Sequence, residues 1–134
     1  MHKKISRKKL INNLDKIFSL YIRLKNADTH GFCKCFTCDN KYFWKQIHCG
    51  HFMSRKNFST RWEESNCATQ CIGCNIFKHG EQYMFGLKLG KDLSESLLIK
   101  SKKIVKFTDQ DLNDMIEKYN NKVLVLKVKN INVI

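Results

Sequence analysis

Two Cys-x2-Cys pairs, Cys35/Cys38 and Cys71/Cys74, bracket His48, His51 and Asn66, and Asn75 follows the last cysteine directly. Two thiolates two residues apart can chelate one ion from a tight turn, and two such turns complete the tetrahedral shell that suits Zn2+. A disulfide framework is the competing interpretation. Against it, the chain holds an odd number of cysteines, seven, and no secretory pattern precedes them. Cys33 lies close enough to Cys35 and Cys38 to compete for the ligand role, although spacing favours Cys35 with Cys38. Cys33, Cys49 and Cys67 are then left as spare thiols, which are more often small buried hydrophobes than ligands or nucleophiles.

The enclosed histidines point to a different chemistry. Hydrolysis of a phosphodiester needs a general base to deprotonate water and a cation to neutralise the leaving oxygen, and histidine with a divalent ion supplies both near neutral pH. His51 can serve as that base if a backbone carbonyl holds its ring, because imidazole titrates near neutrality without a large shift. A lone histidine is more often structural, so its neighbours decide.

The order Cys-x2-Cys, His-x2-His, Asn, Cys-x2-Cys-Asn resembles the zinc-knuckle HNH endonucleases, which have the ββα-metal fold. A longer string is similar to the NinG (Rap) recombination proteins of lambdoid phages: His48-Cys49-Gly50-His51-Phe52, Ser54-Arg55, Thr60-Arg61-Trp62, Asn66, Gln70-Cys71, Cys74-Asn75, Lys78, Gly80 and Tyr83. The likeness is strong from residue 32 to 90 and holds only in outline beyond. It implies a metal-dependent DNA endonuclease. His51 would activate the attacking water, and the Asn66 amide would tie the loop and orient that base. Asn75 would be a ligand of the catalytic Mg2+ or Mn2+, with His79 as competitor. Cys35, Cys38, Cys71 and Cys74 would hold a structural Zn2+ that takes no part in the reaction.

One position departs from the family. His48 stands where its members commonly carry Asp, three residues before the base. Both ligate metals, but neutral imidazole is softer than carboxylate and shifts the preference from Mg2+ towards Mn2+, Ni2+ or a second zinc. Arg55, Arg61 and Lys78 are the candidate phosphate contacts, Arg61 foremost. The resemblance further implies cleavage to 5′-phosphate ends on branched DNA such as a four-way junction. Two cuts on such a junction would suit a homodimer.

Charge agrees with a polyanionic partner. The chain carries 25 Lys and Arg against 12 Asp and Glu, a net +13, and a basic balance of this size suits nucleic acid. Lys3, Lys4, Arg7, Lys8 and Lys9 form a basic start that either grips a DNA arm or only aids solubility. Two other classes remain open: a non-catalytic zinc-dependent nucleic-acid-binding module, and a small zinc protein that binds another protein. The apolar run from Leu10 to Leu24 is interrupted by Asp15, Lys16 and Arg23, which argues against a membrane span or signal core and for the cytoplasm.

The elements that must position these residues read as α+β. A chain of 134 residues, 43% of them hydrophobic, suits one domain with one modest core. Leu10, Leu14, Ile17, Phe18, Tyr21 and Leu24 recur at three- and four-residue intervals, which predicts an N-terminal helix over 6–27. A zinc-stabilised HNH core spans 32–80, with a strand over 41–47 and a long loop from 52 to 66. Its Arg55, Lys56 and Arg61 alternate with Phe52, Phe58 and Trp62. A short helix follows over 75–79, closed by Gly80. The remainder, 81–134, is mainly helical: 81–89 ended by Gly90, 92–102, and a helix opening at Thr108 with Asp111 three residues on. Residues 123–129 fit a strand or a continued helix.

Overall fold

The computed structural model describes residues 4–129; Lys3 and the end of the helical tail lie outside them. Helix α1 covers Arg7–Lys25, with the Ser6 side chain accepting from the Lys9 N–H at its start. At its other end the Asn26 amide donates to the Ile22 carbonyl at 2.7 Å. The four-residue spacing of Leu10, Leu14, Phe18 and Ile22 places one buried stripe along this helix.

That stripe meets α5, Asp109–Lys129, through Leu112 and Tyr119. The Phe18 ring stands edge-on to Tyr119 at 5.0 Å. The two helices run in the same direction, since Arg7 pairs with Asp109 at one end while Leu24 shares a buried cluster with Val123 at the other. Helix α5 opens with a reciprocal cap. The Asp111 N–H donates to Thr108 Oγ1 at 3.0 Å, and the Thr108 N–H donates to the Asp111 carboxylate at 2.8 Å. Aspartate thus does the work that glutamate usually does in this box.

Between these helices the chain forms two separate two-stranded antiparallel sheets. In the first, β1 (Phe32–Lys34) pairs with β2 (Lys41–Phe43). In the second, β3 (His48–His51) pairs with β4 (Cys67–Gln70), His48 opposite Gln70 and His51 opposite Cys67. The expected strand over 41–47 is therefore split. Trp44 leaves β2 to donate its N–H to the Gly31 carbonyl, and a turn closed from Gln46 to Phe43 redirects the chain before β3 begins.

The expected long loop also holds structure: a single turn of helix, α2 (Phe58–Arg61), and a 3-10 turn over Glu64–Asn66. The Glu64 carboxylate joins this turn to both long helices, accepting from Lys25, Tyr119 and Lys122 at 3.4, 3.2 and 3.1 Å. Beyond the second cysteine pair come α3 (Gln82–Leu89) and α4 (Lys91–Ser101), separated by Gly90 at φ +90°. Phe85 of α3 is fully buried against Phe36 and Phe52. Residues 123–129 continue α5, because Val123 and Leu126 pack with Leu24, Trp44 and Ile47, and that burial outweighs β propensity.

Gly50 has a specific steric cause. A Cβ at this position would stand 1.9 Å from Gln70 Oε1. Gln70 cannot move away, since its amide donates to Thr37 Oγ1 and to the Gly80 carbonyl in the interior.

Two substitutions separate packing from capping. In urea unfolding, Phe18→Ala should destabilise by about 3 to 5 kcal/mol, and Thr108→Ala by about 1 kcal/mol. Equal losses would contradict the α1–α5 contact as the main source of burial.

Candidate functional site

The two cysteine pairs come from different sheets. Cys35 and Cys38 sit in the turn joining β1 to β2, Cys71 follows β4, and Cys74 lies on a π-helical turn over Gly73–Phe77. All four Sγ atoms lie within 4.8 Å of one another, with Cys38 and Cys71 at 3.8 Å. Zn–S bonds of about 2.3 Å in a tetrahedron set sulfurs about 3.8 Å apart, so the group has the dimensions and donor chemistry to hold one zinc ion. Backbone amides favour the thiolate form: the Cys71 N–H donates to Cys35 Sγ at 3.3 Å, and the Cys74 N–H to Cys71 Sγ at 3.4 Å. Burial pushes the Cys35 thiol up, but hydrogen bonds from Cys71 and Thr37 outweigh it and bring it down to about 6. Cys74 is pushed up to about 12, chiefly by burial.

Cys33 is not part of this group. It is fully buried beside Trp44 and Ile47, and its thiol donates to the Arg23 carbonyl at 3.2 Å. Burial pushes it up to about 11. The end of β1 explains the separation, since Cys35 lies beyond Lys34 in the turn and no longer shares the strand face of Cys33.

Beside the cysteines opens a cleft of about 920 Å3 between α1, β3 and the π-helical turn. His48, His51, Arg55, Asn75 and His79 all line it. His48 Nδ1 meets the Asn75 side-chain amide at 3.2 Å. His79 reaches the same cleft from a different backbone than expected: the turn ends at Phe77, and His79 follows in a left-handed conformation at φ +52°. The wide turn is closed by the Lys78 N–H donating to the Gly73 carbonyl at 2.9 Å, a geometry that recurs near functional sites.

His51 is held from outside the cleft. Its Nε2–H donates to the Arg61 carbonyl at 2.9 Å, which leaves the lone pair on Nδ1. Burial lowers its pKa below the ordinary 6.5, partly opposed by the Arg61 hydrogen bond, so the ring is neutral at physiological pH.

Asn66 governs where that carbonyl lies. It has no exposed surface, its Oδ1 accepts from the Met53 N–H at 2.8 Å, and its Nδ2 donates to the Met53 and Thr60 carbonyls, each at 3.0 Å. Its amide thus ties the end of β3 to α2, one residue before the carbonyl that holds His51.

Arg61 takes a different place from the one expected of a phosphate contact. Its guanidinium forms a two-pronged pair with Asp15 at 3.1 and 2.6 Å, donates to the Arg55 carbonyl at 2.8 Å, and lies against the Phe58 and Trp62 rings. With its donors so committed, Arg61 positions the loop instead of facing the cleft. Lys78 is exposed but lies off the cleft wall. Arg55 remains at the wall, with Asp15 at 3.8 Å.

Three charged cleft residues belong to no motif: Asp15, Arg23 and Lys45. Asp15 also accepts from Trp62 Nε1 at 3.0 Å and so binds α1 to the loop. One signal marked it in advance, since it is the only acid in α1. Arg23 reaches from the polar face of α1 to the Trp44 carbonyl at 2.9 Å, and Lys45 is exposed at the rim.

Fold and site together define an α+β protein with small antiparallel sheets, several helices and a four-cysteine group able to hold zinc beside a histidine-lined cleft. The chain belongs to the family described as bacteriophage lambda NinG protein, whose model matches residues 2–129. No curated protein and no solved structure matches it. Among the described residues, no helix is long and apolar enough to cross a membrane.

The ligand set can be tested by elemental analysis after dialysis. The native chain should retain one zinc, Cys38→Ser should lose it, and Cys33→Ser should keep it. Zinc lost from Cys33→Ser but kept by Cys35→Ser would overturn the assignment.

Proposed function

We propose that this protein is a metal-dependent DNA endonuclease of the HNH type, with a zinc knuckle and a ββα-metal core, acting on branched recombination intermediates. The observation that carries this reading is His51, a neutral imidazole oriented by the Arg61 carbonyl in one cleft with His48 and Asn75. Cys35, Cys38, Cys71 and Cys74 would hold the structural zinc and keep β4 and the π-helical turn in place.

The DNA backbone enters the basic cleft, where Arg23, Lys45 and Arg55 neutralise its charge. His51 Nδ1 accepts the proton of the attacking water while Nε2–H stays on the Arg61 carbonyl, and that bond strengthens as the ring gains charge. Asn66 touches no substrate and acts as a positioning residue. His48 and Asn75, with His79 as a third candidate, would hold a divalent ion, which would supply charge neutralisation at the scissile phosphate and its departing 3′ oxygen. The nitrogen donor of His48 favours Mn2+ over Mg2+ in that role. The products carry 5′-phosphate ends. Branched DNA as substrate follows from the family resemblance, as does action in the host cytoplasm, and a homodimer would supply the second cut.

One observation favours a second reading, a zinc-dependent nucleic-acid-binding module without catalysis. Among the described residues Asp15 is the only carboxylate on the cleft wall, and it is committed to Arg61 and Trp62, so none of them offers a free acidic ligand to a hard cation.

Cleavage of end-labelled four-way-junction and duplex DNA with Mn2+ or Mg2+ distinguishes the two. The native chain should cut and prefer the junction, whereas His51→Ala should bind DNA but lose about 100-fold or more in rate. Folded, zinc-loaded protein that binds yet cuts with no divalent ion would leave the binding module. The pH profile offers a second check. The base must be neutral and burial lowers its pKa, so the rate should hold as pH falls to 6.5 and decline only below it. A decline centred above 6.5 would contradict His51 as the base.

A further inference from the structure

Outside the four-cysteine group, three more metal-ligating side chains converge. Cys49, His51 and Cys67 each bring one ligand atom within 4.8 Å of the others. The ladder explains why. His51 stands opposite Cys67 across β3 and β4, Cys49 lies two residues before His51, and residues two apart share one face of a strand. Cys67 packs against the α1 core, while Cys49 and His51 wall the open cleft. An ion arriving through the cleft therefore meets Cys49 and His51 at its wall, with the Cys67 ligand atom within 4.8 Å of both. That donor set suits a soft or borderline divalent ion such as Zn2+ or Cd2+, and not Mg2+.

We propose that Cys49, His51 and Cys67 form a second metal site, selective for soft divalent ions, whose occupation silences the cleft. Binding expels the two thiol protons and leaves both sulfurs as thiolate ligands. Burial and the neighbouring Cys49 push the Cys67 thiol up, so Cys67 keeps its proton until such an ion replaces it. His51 couples this site to the reaction. An ion on Nδ1 occupies the lone pair that would take the proton of water, and an ion on Nε2 breaks the bond to the Arg61 carbonyl. Either removes the base. This inhibition rests on the nuclease reading, whereas the binding does not.

The test uses full-length protein with its four-cysteine zinc in place and Co2+ as the probe. Co2+ should enter with sulfur-to-metal charge-transfer absorption, while elemental analysis shows the zinc retained. Cys49→Ala and Cys67→Ala should abolish that absorption, and Cys33→Ala should keep it. Retained zinc marks each variant as folded, and if Cys67→Ala loses its zinc, Cys49→Ala decides alone. No thiolate absorption, or absorption that survives Cys49→Ala, overturns the site. In junction cutting with Mn2+, the ratio of rates with and without a second equivalent of Zn2+ should fall well below one for the native chain and stay near one for Cys49→Ala. Equal inhibition of both overturns the coupling. A native chain that never cuts defeats the nuclease reading but leaves the Co2+ result to stand or fall by itself.

Discussion

Four thiols drawn from two strand pairs share a space in which no sulfur lies more than 4.8 Å from another. As thiolates they would repel at this spacing, and a divalent cation among them turns that repulsion into the strongest single link between the two sheets. Three hydrogen bonds also cross there: the Phe36 N–H donates to the Thr69 carbonyl and Thr69 Oγ1 to the Lys34 carbonyl, each at 2.8 Å, and Gln70 Nε2 donates to Thr37 Oγ1 at 3.1 Å. Structural zinc contributes about 10 to 16 kcal/mol in small peptides, as much as the whole stability of a typical domain, so an ion held here would outweigh any other local contact. Its position matters for the cleft. Cys74 precedes Asn75, and Cys71 follows the residue paired with His48, so the same sulfurs set the distance between the two candidate ligands.

The candidate base, His51, is held by a second arrangement, which runs through hydrogen bonds. Asn66 closes the loop on Met53 and Thr60, and the next carbonyl, that of Arg61, holds His51. Asp15 secures the outer side of this loop by accepting from Arg61 and Trp62. The long helix α1 is therefore a wall of the cleft as well as half of the core. Its Leu14 and Phe18 bury against α5 while Asp15 and Arg23 turn towards the site.

Legibility followed the range of the interaction. Helices α1 and α5 were visible because a stripe at three- and four-residue spacing repeats over about five turns. The cysteine knuckles were visible because two ligands two residues apart are a local pattern. Strand β4 and helix α2 each span four residues, too few for any period to declare itself. Arg61 was assigned to phosphate because its partner Asp15 lies 46 residues earlier, and nothing local reveals such a pair. Cys49 and Cys67 looked like spare apolar thiols until the β3–β4 register placed both beside His51. The tail of α5 stays open in the sequence between strand and helix, since Val123 and Val125 favour a strand until α1 supplies a surface for Val123 to cover.

The fold presents His51 as a candidate base, neutral and with its free nitrogen already chosen. Long-range 15N–1H correlation of the histidine rings, followed across pH in the zinc-loaded protein, measures this directly. The account predicts the Nε2–H tautomer for His51 and a pKa below 6.5. A ring carrying its proton on Nδ1, or one that titrates above 6.5, would contradict it.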